Sequence, residues 1–491
     1  MNEKPSPEGE YNAIKAETIL PTKTVGLECL KEANPETMSP HRNIFKWFAR
    51  RPTAASRLAI LASVLPADTS NNDLLRLMGI GPRWEVEGDI SDFVLEKFAK
   101  KGDRSGTIEE HFGYEYPHRN VPSESEMQSF HEKVRENWEG ELPIVLDPTA
   151  GGGTIPLESL RYGLPTISNE LNPVAWLINK VILQYAPSVG SVETEVRRWM
   201  ETIQQSVEDE LKDFFPQRNG VSPDHYFRAY SFTCDSCGNP IPISNQWYFN
   251  RRRNAAIYPE IDEGELSFRV IDPSNHETRD NYDPSQGSVD GGDVECPSCG
   301  VVTERSETVE KFKEGNFEYE VCGVRYEKKI NGTKYHSPTE EDIEAIERAQ
   351  EHIDSDLRLS TLLTTQRYDG YYDRAIPYGL TQWRDVYSPR QLISHATYLK
   401  AFDEVKSDII SEYPDEKAEL ILSLLSFISV KLIQRNSRLN AITPDYGSPN
   451  DMLGNNGYFF KWNFGESNLM AGTYSYQSEA DNIIDGYEKT A

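Results

Sequence analysis

Helical periodicity dominates the pattern of apolar and polar positions, and strand-like patterns interrupt it in two regions. An Ala- and Leu-rich run over 53–65 predicts a buried helix with Thr53 near its start. Apolar residues spaced three or four apart predict further helices over 24–33, 124–137, 192–214, 339–353, 388–405 and 415–436. The strand-like patterns lie near residue 145 and between residues 228 and 335. The chain is therefore predicted to be α/β.

The first strand-like region alternates strand and helix signals. Residues 143–147 form a short apolar run typical of a buried strand, and 165–170 form a second one. Between them, three glycines precede a helix predicted to have Thr154 as its cap and to end at Gly163. Pro173 fits the first turn of the next helix. This order of elements predicts the beginning of a doubly wound, Rossmann-like parallel sheet.

The glycine-rich turn, Asp147–Thr154, suits a small polar ligand. Gly151 and Gly153 allow positive φ angles and close backbone approach, and the following helix directs free N–H groups toward the turn. The turn has neither the GKS or GKT of a P-loop nor the GxGxxG of dinucleotide-binding proteins. Asp147 suits a cationic amino group such as that of S-adenosylmethionine, and Glu170 is placed to accept hydrogen bonds from ribose hydroxyls. The alternative is a purely structural turn.

Four of the six cysteines stand in two CxxC pairs, Cys234–Cys237 and Cys296–Cys299, each followed by glycine. This arrangement turns backbone N–H groups toward thiolates and is typical of a closed, tetrahedral zinc site. A β-rich insertion over 228–335 can use such a structural zinc ion in place of a hydrophobic core. A thioredoxin-like redox role is disfavoured, because neither pair opens a helix after a strand. Cys29 and Cys322 are predicted to be buried thiols rather than ligands.

Acidic residues outnumber basic ones, 79 to 51, which gives a net charge of -28 and a pI near 4.8. An acidic protein can simply avoid polyanions, because neutralising phosphates takes Lys and Arg. Alternatively, an acidic surface suits a salt-rich cytoplasm, where screening over roughly 3 Å at 1 M shortens the repulsion from DNA. We favour salt adaptation, a halophilic composition, because basic clusters persist at 50–57 and 251–253. Net charge alone therefore does not exclude nucleic acid.

The sequence shows no sign of a membrane or secretory segment. No apolar run approaches the roughly 20 residues that span a bilayer. The N-terminal residues lack the apolar region of a signal peptide. A cytoplasmic location and no membrane partner are therefore expected.

One arginine cluster lies between the two cysteine pairs. Arg251, Arg252 and Arg253 follow Trp247 and Tyr248 along the chain. Basic and aromatic residues together suit nucleic acid. A solvated loop beside a small core is the other interpretation, and both stay open.

A second arginine cluster lies near the N-terminus. Arg50, Arg51 and Arg57 could contact phosphates. Alternatively, Trp47 and Phe48 could cover the cofactor while the arginines pair with surface acids. The second interpretation is favoured, because most charge clusters are solvated faces.

Several motifs together resemble one enzyme family. The stretch 147–175, DPTAGGGTIPLESLRYGLPTISNELNPVA, is similar to the cofactor-binding half of adenine-specific DNA methylases that carry an inserted zinc ribbon and an N-terminal domain of unknown function. Residues 41–61, 379–392 and 434–439 resemble further signatures of that family, so the resemblance spans about 14–440. It implies S-adenosylmethionine as methyl donor, duplex DNA as partner, adenine N6 as the methylated atom, and a setting in restriction–modification or phage defence.

The resemblance also assigns residues. It places the cofactor on Asp147, Pro148, Thr149, Gly151, Gly153, Glu170 and Asn172. Amino-methyltransferases hold the flipped base with Asp, Asn or Ser, followed by Pro-Pro and an aromatic residue. This chain has no Pro-Pro dipeptide and ends at Ala491, so no catalytic residue is assigned. We expect a methyltransferase sheet that is incomplete at the C-terminus and completed by a second, downstream-encoded polypeptide.

Two other functions stay open. Some RNA base methyltransferases have similar glycine-rich turns, and they would prefer RNA to duplex DNA. A non-catalytic zinc-ribbon protein, either a nucleic-acid-binding protein or a remnant, would bind no cofactor.

The predicted domain organisation has five segments. They are a family-specific helical segment over 1–66, a polar linker and helical region over 67–142, the cofactor-binding half over 143–227, the zinc-ribbon insertion over 228–335 and a helical region over 336–491.

Overall fold

A computed structural model describes residues 12–33, 37–47, 51–84, 86–100, 106–273, 282–368, 373–452 and 457–490. The fold is mixed α/β, with helices and several sheets. It divides into two compact units, the first formed by 1–192 with 484–491 and the second by 193–483. Across the described residues, no helix has the length and apolar character that crossing a bilayer requires.

The first unit contains helices and one small sheet. Its elements are α1 (Thr22–Lys31), α2 (His41–Ile44), α3 (Thr53–Val64), α4 (Asn71–Leu77), α5 (Ile90–Ala99), α6 (Ile108–Phe112), α7 (Glu124–Asn137), β1 (Val145–Asp147), α8 (Thr154–Arg161), β2 (Thr166–Ser168), α9 (Pro173–Asn179) and α10 (Ala186–Val189). A π-helix, Lys180–Tyr185, joins α9 to α10.

The region predicted as a polar linker and helical region, 67–142, contains several helices among its described residues. It forms α4 to α7, and Ser70, Asp89, Thr107 and Ser123 cap these helices by accepting backbone N–H bonds. Apolar residues of α4, α5 and α7 join those of α1 and α3 in one buried cluster. The helices before α7 are short, so each offers few apolar positions, and the sequence pattern alone indicates only the longest one.

Strands β1 and β2 pair in parallel, with Val145 opposite Thr166 and Asp147 opposite Ser168. The predicted strands are therefore present but shorter than expected. Helix α8 packs against both strands. Leu146 and Ile167 point away from the core and are 60% and 53% exposed. Parallel sheets are normally covered on both faces, so this apolar surface is unusual for such a sheet.

The second unit contains the remaining helices and most strands. Its elements are α11 (Glu193–Leu211), β3 (Pro223–Thr233), β4 (Pro240–Ile243), β5 (Tyr248–Asn250), β6 (Ala255–Asp262), β7 (Glu265–Ile271), β8 (Val289–Asp290), β9 (Asp293–Glu295), β10 (Val302–Thr303), α12 (Arg305–Lys313), β11 (Glu318–Ile330), β12 (Thr333–His336), α13 (Glu340–Ser355), α14 (Leu357–Thr361), α15 (Pro389–Glu412), α16 (Asp415–Ile433), β13 (Ile442–Thr443), β14 (Ser448–Pro449), β15 (Asn463–Ser467) and α17 (Tyr476–Glu488). The end of α17, from residue 484, belongs to the first unit.

The main sheet of this unit is antiparallel and curls into a half-barrel. Its strands lie in the order β12-β11-β3-β15, and β4 also pairs with β3. Strand β3 is buried along all but its last residue. Smaller antiparallel sheets are formed by β5-β6-β7, by β8-β9-β10 and by β13-β14.

This β-rich region extends beyond the predicted 228–335. Strand β3 begins at Pro223, and β15 comes from the segment 336–491, which is predicted to be helical. Its short length, the central Gly465 and the polar residues around it hide β15 from sequence patterns. Its place depends on pairing with β3 and on the ion pair between Glu466 and the buried Arg228.

Candidate functional sites

The glycine-rich turn leaves β1 at Asp147 and enters α8 at Thr154. Gly153, and not the predicted Thr154, is the cap residue of α8. Gly151 and Gly153 have φ angles of +54° and +77°, in the left-handed region that favours glycine. A Cβ atom on Gly153 would lie 2.8 Å from Asn179 Oδ1. The turn therefore requires glycine at this position for conformation and for space.

Glu170 follows β2 and binds the backbone of the turn. Its Oε2 atom accepts from the Gly151 N–H at 2.6 Å, and Oε1 accepts from the Leu171 and Asn172 N–H groups at 2.9 and 3.1 Å. The backbone N–H groups of Asn172 and Gly151 hold the pKa of Glu170 below its ordinary value. A carboxylate has about four lone-pair sites. Glu170 therefore stays ionised and keeps acceptor capacity for a ligand hydroxyl.

The other predicted cofactor residues have different surroundings. Asp147 is half-buried at the end of β1, and its Oδ1 atom accepts from the Thr149 N–H at 3.2 Å. Pro148 and Thr149 are exposed. Asn172 caps α9, because its side-chain oxygen accepts backbone N–H bonds from the first turn of that helix. The carboxylates of Asp147 and Glu170 thus lie beyond the carboxyl ends of adjacent strands, whereas Asn172 orients a helix.

Asn179 is a residue of this site that the sequence analysis missed. Its Nδ2 atom donates to the Gly151 carbonyl at 2.8 Å and to the Ala175 carbonyl at 2.7 Å. Its Oδ1 atom accepts from the Ser168 hydroxyl at 2.9 Å. One amide therefore ties the glycine-rich turn to β2 and α9. The sequence signal for this residue was its polar amide within the largely apolar helical stretch 173–186.

The N-terminal segment packs against the same turn. A Cβ atom on Gly151 or Gly152 would lie 3.2 Å from the Trp47 side chain. His41 Nε2 and Thr154 Oγ1 are 3.4 Å apart, which places His41 at the start of α8. Burial, reinforced by nearby cations, lowers the pKa of His41 to about 3, so the imidazole is neutral. Trp47 therefore lies against the glycine-rich turn, and its predicted role as a cover for the cofactor stays a prediction.

Arg57 is unavailable to a phosphate, which corrects that alternative for this residue. It is 1% exposed, and its Nε atom donates to Glu158 Oε2 at 2.7 Å. Its Nη1 atom donates to the carbonyls of Met78, Pro117 and Asn120. The acid that pairs with it is buried rather than at the surface. Arg57 therefore holds α3, α8 and the chain around residue 117 together.

The two other arginines of this cluster differ from Arg57. Arg51 is exposed, and its carbonyl accepts from the Arg42 side chain. Arg50 and Phe48 lie outside the described residues. Among the described arginines of this N-terminal cluster, Arg51 is thus the one that a ligand could reach.

The four paired cysteines come together in the second unit. The Sγ atoms of Cys234, Cys237, Cys296 and Cys299 all lie within 4.8 Å of one another. Two of the separations are 3.8 Å, between Cys234 and Cys299, and 3.7 Å, between Cys237 and Cys296. Four sulfur atoms at about 2.3 Å from a tetrahedral metal ion would be about 3.8 Å apart. The sulfur positions therefore fit a tetrahedral metal ion with metal–sulfur distances of about 2.3 Å.

Each cysteine pair forms the same backbone turn. Gly238 and Gly300 have φ angles of +77° and +72°, and their N–H groups donate to the carbonyls of Cys234 and Cys296 at 2.9 Å. The Cys237 backbone N–H, aided by neighbouring groups, lowers the pKa of the Cys234 thiol to about 7, whereas desolvation and the neighbouring thiols raise the pKa of Cys237 and Cys296 in the absence of a metal ion. N–H groups directed at sulfur favour thiolates, the form that binds metal. Both turns are thus suited to metal ligation.

The two remaining cysteines stand apart from this cluster. Cys322 is buried, and desolvation raises the pKa of its thiol well above the ordinary value. Cys29 is partly buried, and desolvation also raises its thiol pKa. Burial is confirmed for Cys322 and is incomplete for Cys29. Neither belongs to the metal-binding group among the described residues.

The second arginine cluster lies at the surface. Arg251, Arg252 and Arg253 form an exposed 3₁₀ turn after β5. The Arg251 guanidinium lies 3.3 Å from Asp445 Oδ1. Trp247 is buried among Phe227 and neighbouring apolar residues, so this aromatic residue belongs to the core and not to a ligand surface.

Comparisons with known proteins give one family match. A family model described as "Protein of unknown function (DUF1156)" matches residues 19–76. No curated protein and no solved structure matches the chain. The matched segment contains α1 to α3 and the Trp47 and His41 side chains that contact the glycine-rich turn.

Proposed function

We propose that this chain is the cofactor-binding portion of an S-adenosylmethionine-dependent, adenine-specific DNA methyltransferase. The observation that carries the proposal is the glycine-rich turn between two parallel strands, with the Asp147 and Glu170 carboxylates beyond their ends. Ligands of open α/β sheets bind at this edge. The resemblance of 147–175 to DNA methylases supplies the chemistry, and the Rossmann-like sheet is part of the proposal.

The residues of the turn fit such a cofactor. Asp147 would accept hydrogen bonds from the cationic amino group, and Glu170 would accept from a ribose hydroxyl through its remaining lone pair. Gly151 and Gly153 keep the backbone free of side chains where the ligand approaches. S-Adenosylmethionine supplies an electrophilic methyl group when bound. Trp47, which precedes the turn in sequence, and Asn179, which follows it, both contact the turn and hold it in place.

Zinc is the metal we infer for the four-cysteine cluster. An all-thiolate set with tetrahedral spacing is typical of structural zinc sites, in which no position is left for a substrate. The ion would join the turn after β3 to the turn after β9. We therefore assign it a structural task in a zinc ribbon and no part in methyl transfer.

A second polypeptide is proposed to provide the base-binding motif and to cover the small sheet. The exposed face with Leu146 and Ile167 supports this, because parallel strands ordinarily have neighbours and helices on both sides. Duplex DNA, with adenine as the target base, is the proposed substrate. Restriction–modification or phage defence is the proposed setting, and the cytoplasm the proposed location.

Labelled methyl transfer from S-adenosylmethionine to duplex DNA, at high salt, tests the proposal. The assay uses this chain alone and then with the polypeptide encoded immediately downstream. We expect transfer with the mixture, and loss of it in the mixture containing Asp147→Ala. Glu141→Ala removes an exposed carboxylate two residues before the strand-like run and is the matched control. Transfer to RNA in preference to DNA would favour an RNA methyltransferase, and no transfer at all would favour a non-catalytic protein.

A further inference from the structure

A basic cleft in the second unit is separate from the glycine-rich turn and from the cysteine cluster. It encloses about 510 Å³ between the 3₁₀ turn Arg251–Arg253, the β11–β12 hairpin and the loop between β13 and β14. The side chains that matter here are Arg252, Arg253, Arg325, Lys329, Lys334 and Tyr446. Clefts of about 300–1,000 Å³ are usual for small-molecule ligands.

The charge of this cleft is opposite to that of the chain. Five cationic residues line it, against one acidic residue, Asp445, in a protein with a net charge of -28. Asp445 also lies beside Arg251, and Arg325 pairs with the buried Asp224 at 2.7 Å. Arg252, Arg253 and Lys329 are exposed, so their charges are available to an anion. A local cluster of this kind attracts phosphate groups.

An aromatic ring accompanies the cations. Tyr446 is 60% exposed, and the Arg252 guanidinium lies 4.5 Å from the centroid of its ring. Guanidinium and phenol groups both offer flat surfaces on which a nucleic-acid base can stack. Binding of an inorganic phosphate would not require a stacking surface, so the aromatic ring favours a ligand that carries a base.

The floor of the cleft is fixed before any ligand binds. Asn250 is 5% exposed and donates to the Tyr335 hydroxyl at 2.7 Å and to the Tyr446 carbonyl at 2.8 Å. The Arg253 N–H donates to Asn250 Oδ1 at 3.1 Å. Gly447 has φ +62°, and a Cβ atom there would lie 2.7 Å from the Phe249 carbonyl oxygen. The loop that carries Tyr446 is thus anchored closely against β5.

The geometry points to a nucleotide-binding cleft, in which Arg252, Arg253 and Lys329 bind phosphate groups and a base stacks on Tyr446. We take the nucleotide to belong to a DNA strand with an accessible base, because DNA is the proposed substrate, and this assignment rests on the proposed function. Binding in the cleft can be measured separately from methyl transfer, since no residue of the glycine-rich turn takes part.

Fluorescence anisotropy of a labelled single-stranded DNA of about 12 nucleotides tests this cleft. The zinc-loaded full chain is titrated at several KCl concentrations. We expect Lys329→Glu to weaken binding about tenfold and to reduce the salt slope by about 0.7, the value for one phosphate contact with a single strand. Lys328→Glu changes the same charge on the next residue of β11, which is exposed and does not line the cleft, and it should have little effect.

Tyr446 distinguishes stacking from charge. Tyr446→Ala should weaken binding at least fivefold, as expected for loss of about 1 kcal/mol of stacking, while Tyr446→Phe should not. A free mononucleotide should compete only weakly, because a strand offers several phosphate groups to the cations where a mononucleotide offers one position, and tight binding of the mononucleotide would contradict a strand-binding cleft. Equal effects of Lys329→Glu and Lys328→Glu, or no DNA binding at all, would overturn it. S-Adenosylmethionine binding by the same variants reports on the glycine-rich turn separately and should be unchanged.

Discussion

Gly153 and Gly315 both have left-handed φ angles but differ in their surroundings. Their φ angles are +77° and +75°. A Cβ atom on Gly153 would lie 2.8 Å from Asn179 Oδ1, whereas one on Gly315 would meet no atom within 4 Å. Comparing the two positions therefore separates the cost of a left-handed residue from the cost of crowding the turn.

We expect Gly315→Ala to lower the free energy of unfolding by about 1 kcal/mol and Gly153→Ala by about 2–4 kcal/mol. The first change strains the backbone, and the second also displaces the amide that binds Gly151. Hydrogen exchange under increasing urea, at α12 for the first variant and at α8 for the second, measures the two costs. Equal costs would contradict the close approach of Asn179 to the turn.

Arg57 and Arg51 come from one arginine-rich stretch but have opposite environments. Arg57→Met should lower the free energy of unfolding by about 3–5 kcal/mol, because the buried Glu158 keeps only Arg161 as a partner and three carbonyl groups lose their donor. Arg51→Met should change it by less than about 0.5 kcal/mol, because Arg51 is exposed. Thermal unfolding compares the two. A mild Arg57→Met variant that instead loses affinity for DNA would restore the phosphate-binding alternative.

At the scale of elements, the cysteine cluster joins two turns that are distant in sequence. Cys234 directly follows β3, and Cys296 directly follows β9. The apolar cluster around them contains Tyr230, Phe232 and Val294. Binding of a metal ion by these cysteines would therefore be coupled to the packing of this end of the second unit.

We expect one zinc ion per chain by elemental analysis, since the structure brings four thiols within 4.8 Å of one another. Cys234→Ser should remove the ion and lower the melting temperature, and a strong chelator should do the same. Cys322→Ser, at a buried thiol outside the cluster, should keep the full metal content. Metal retained in Cys234→Ser would mean that the ion is held elsewhere.

Sequence patterns predict elements well where local signals are strong. Helix α11 is predicted over 192–214 and found over Glu193–Leu211, because its apolar period is regular. Strand β15 is missed, since a short polar strand gains its place from its partner β3. The contact of Trp47 with the glycine-rich turn links positions far apart in sequence, and the predicted aromatic cover concerned the cofactor rather than the turn. Local pattern thus reveals the turn, whereas tertiary contacts reveal what holds it.

At the scale of the molecule, the acidic excess affects stability as well as partners. A net charge of -28 produces self-repulsion that salt screens. We expect the melting temperature to rise as KCl increases from about 0.1 M to about 2 M, where the screening length falls below about 3 Å. An uncharged osmolyte at equal osmolality is the control. A melting temperature that is independent of KCl would contradict adaptation to salt.

Calorimetric titration with S-adenosylmethionine, on the chain by itself, is the decisive test of the cofactor site. We expect binding by the wild-type chain and by Glu141→Ala. We expect a loss of about 2 kcal/mol, roughly thirtyfold in Kd, for Asp147→Ala, because a charge-assisted hydrogen bond is removed. Absence of binding by the wild-type chain, or equal affinity in Asp147→Ala, would contradict a cofactor site at the glycine-rich turn.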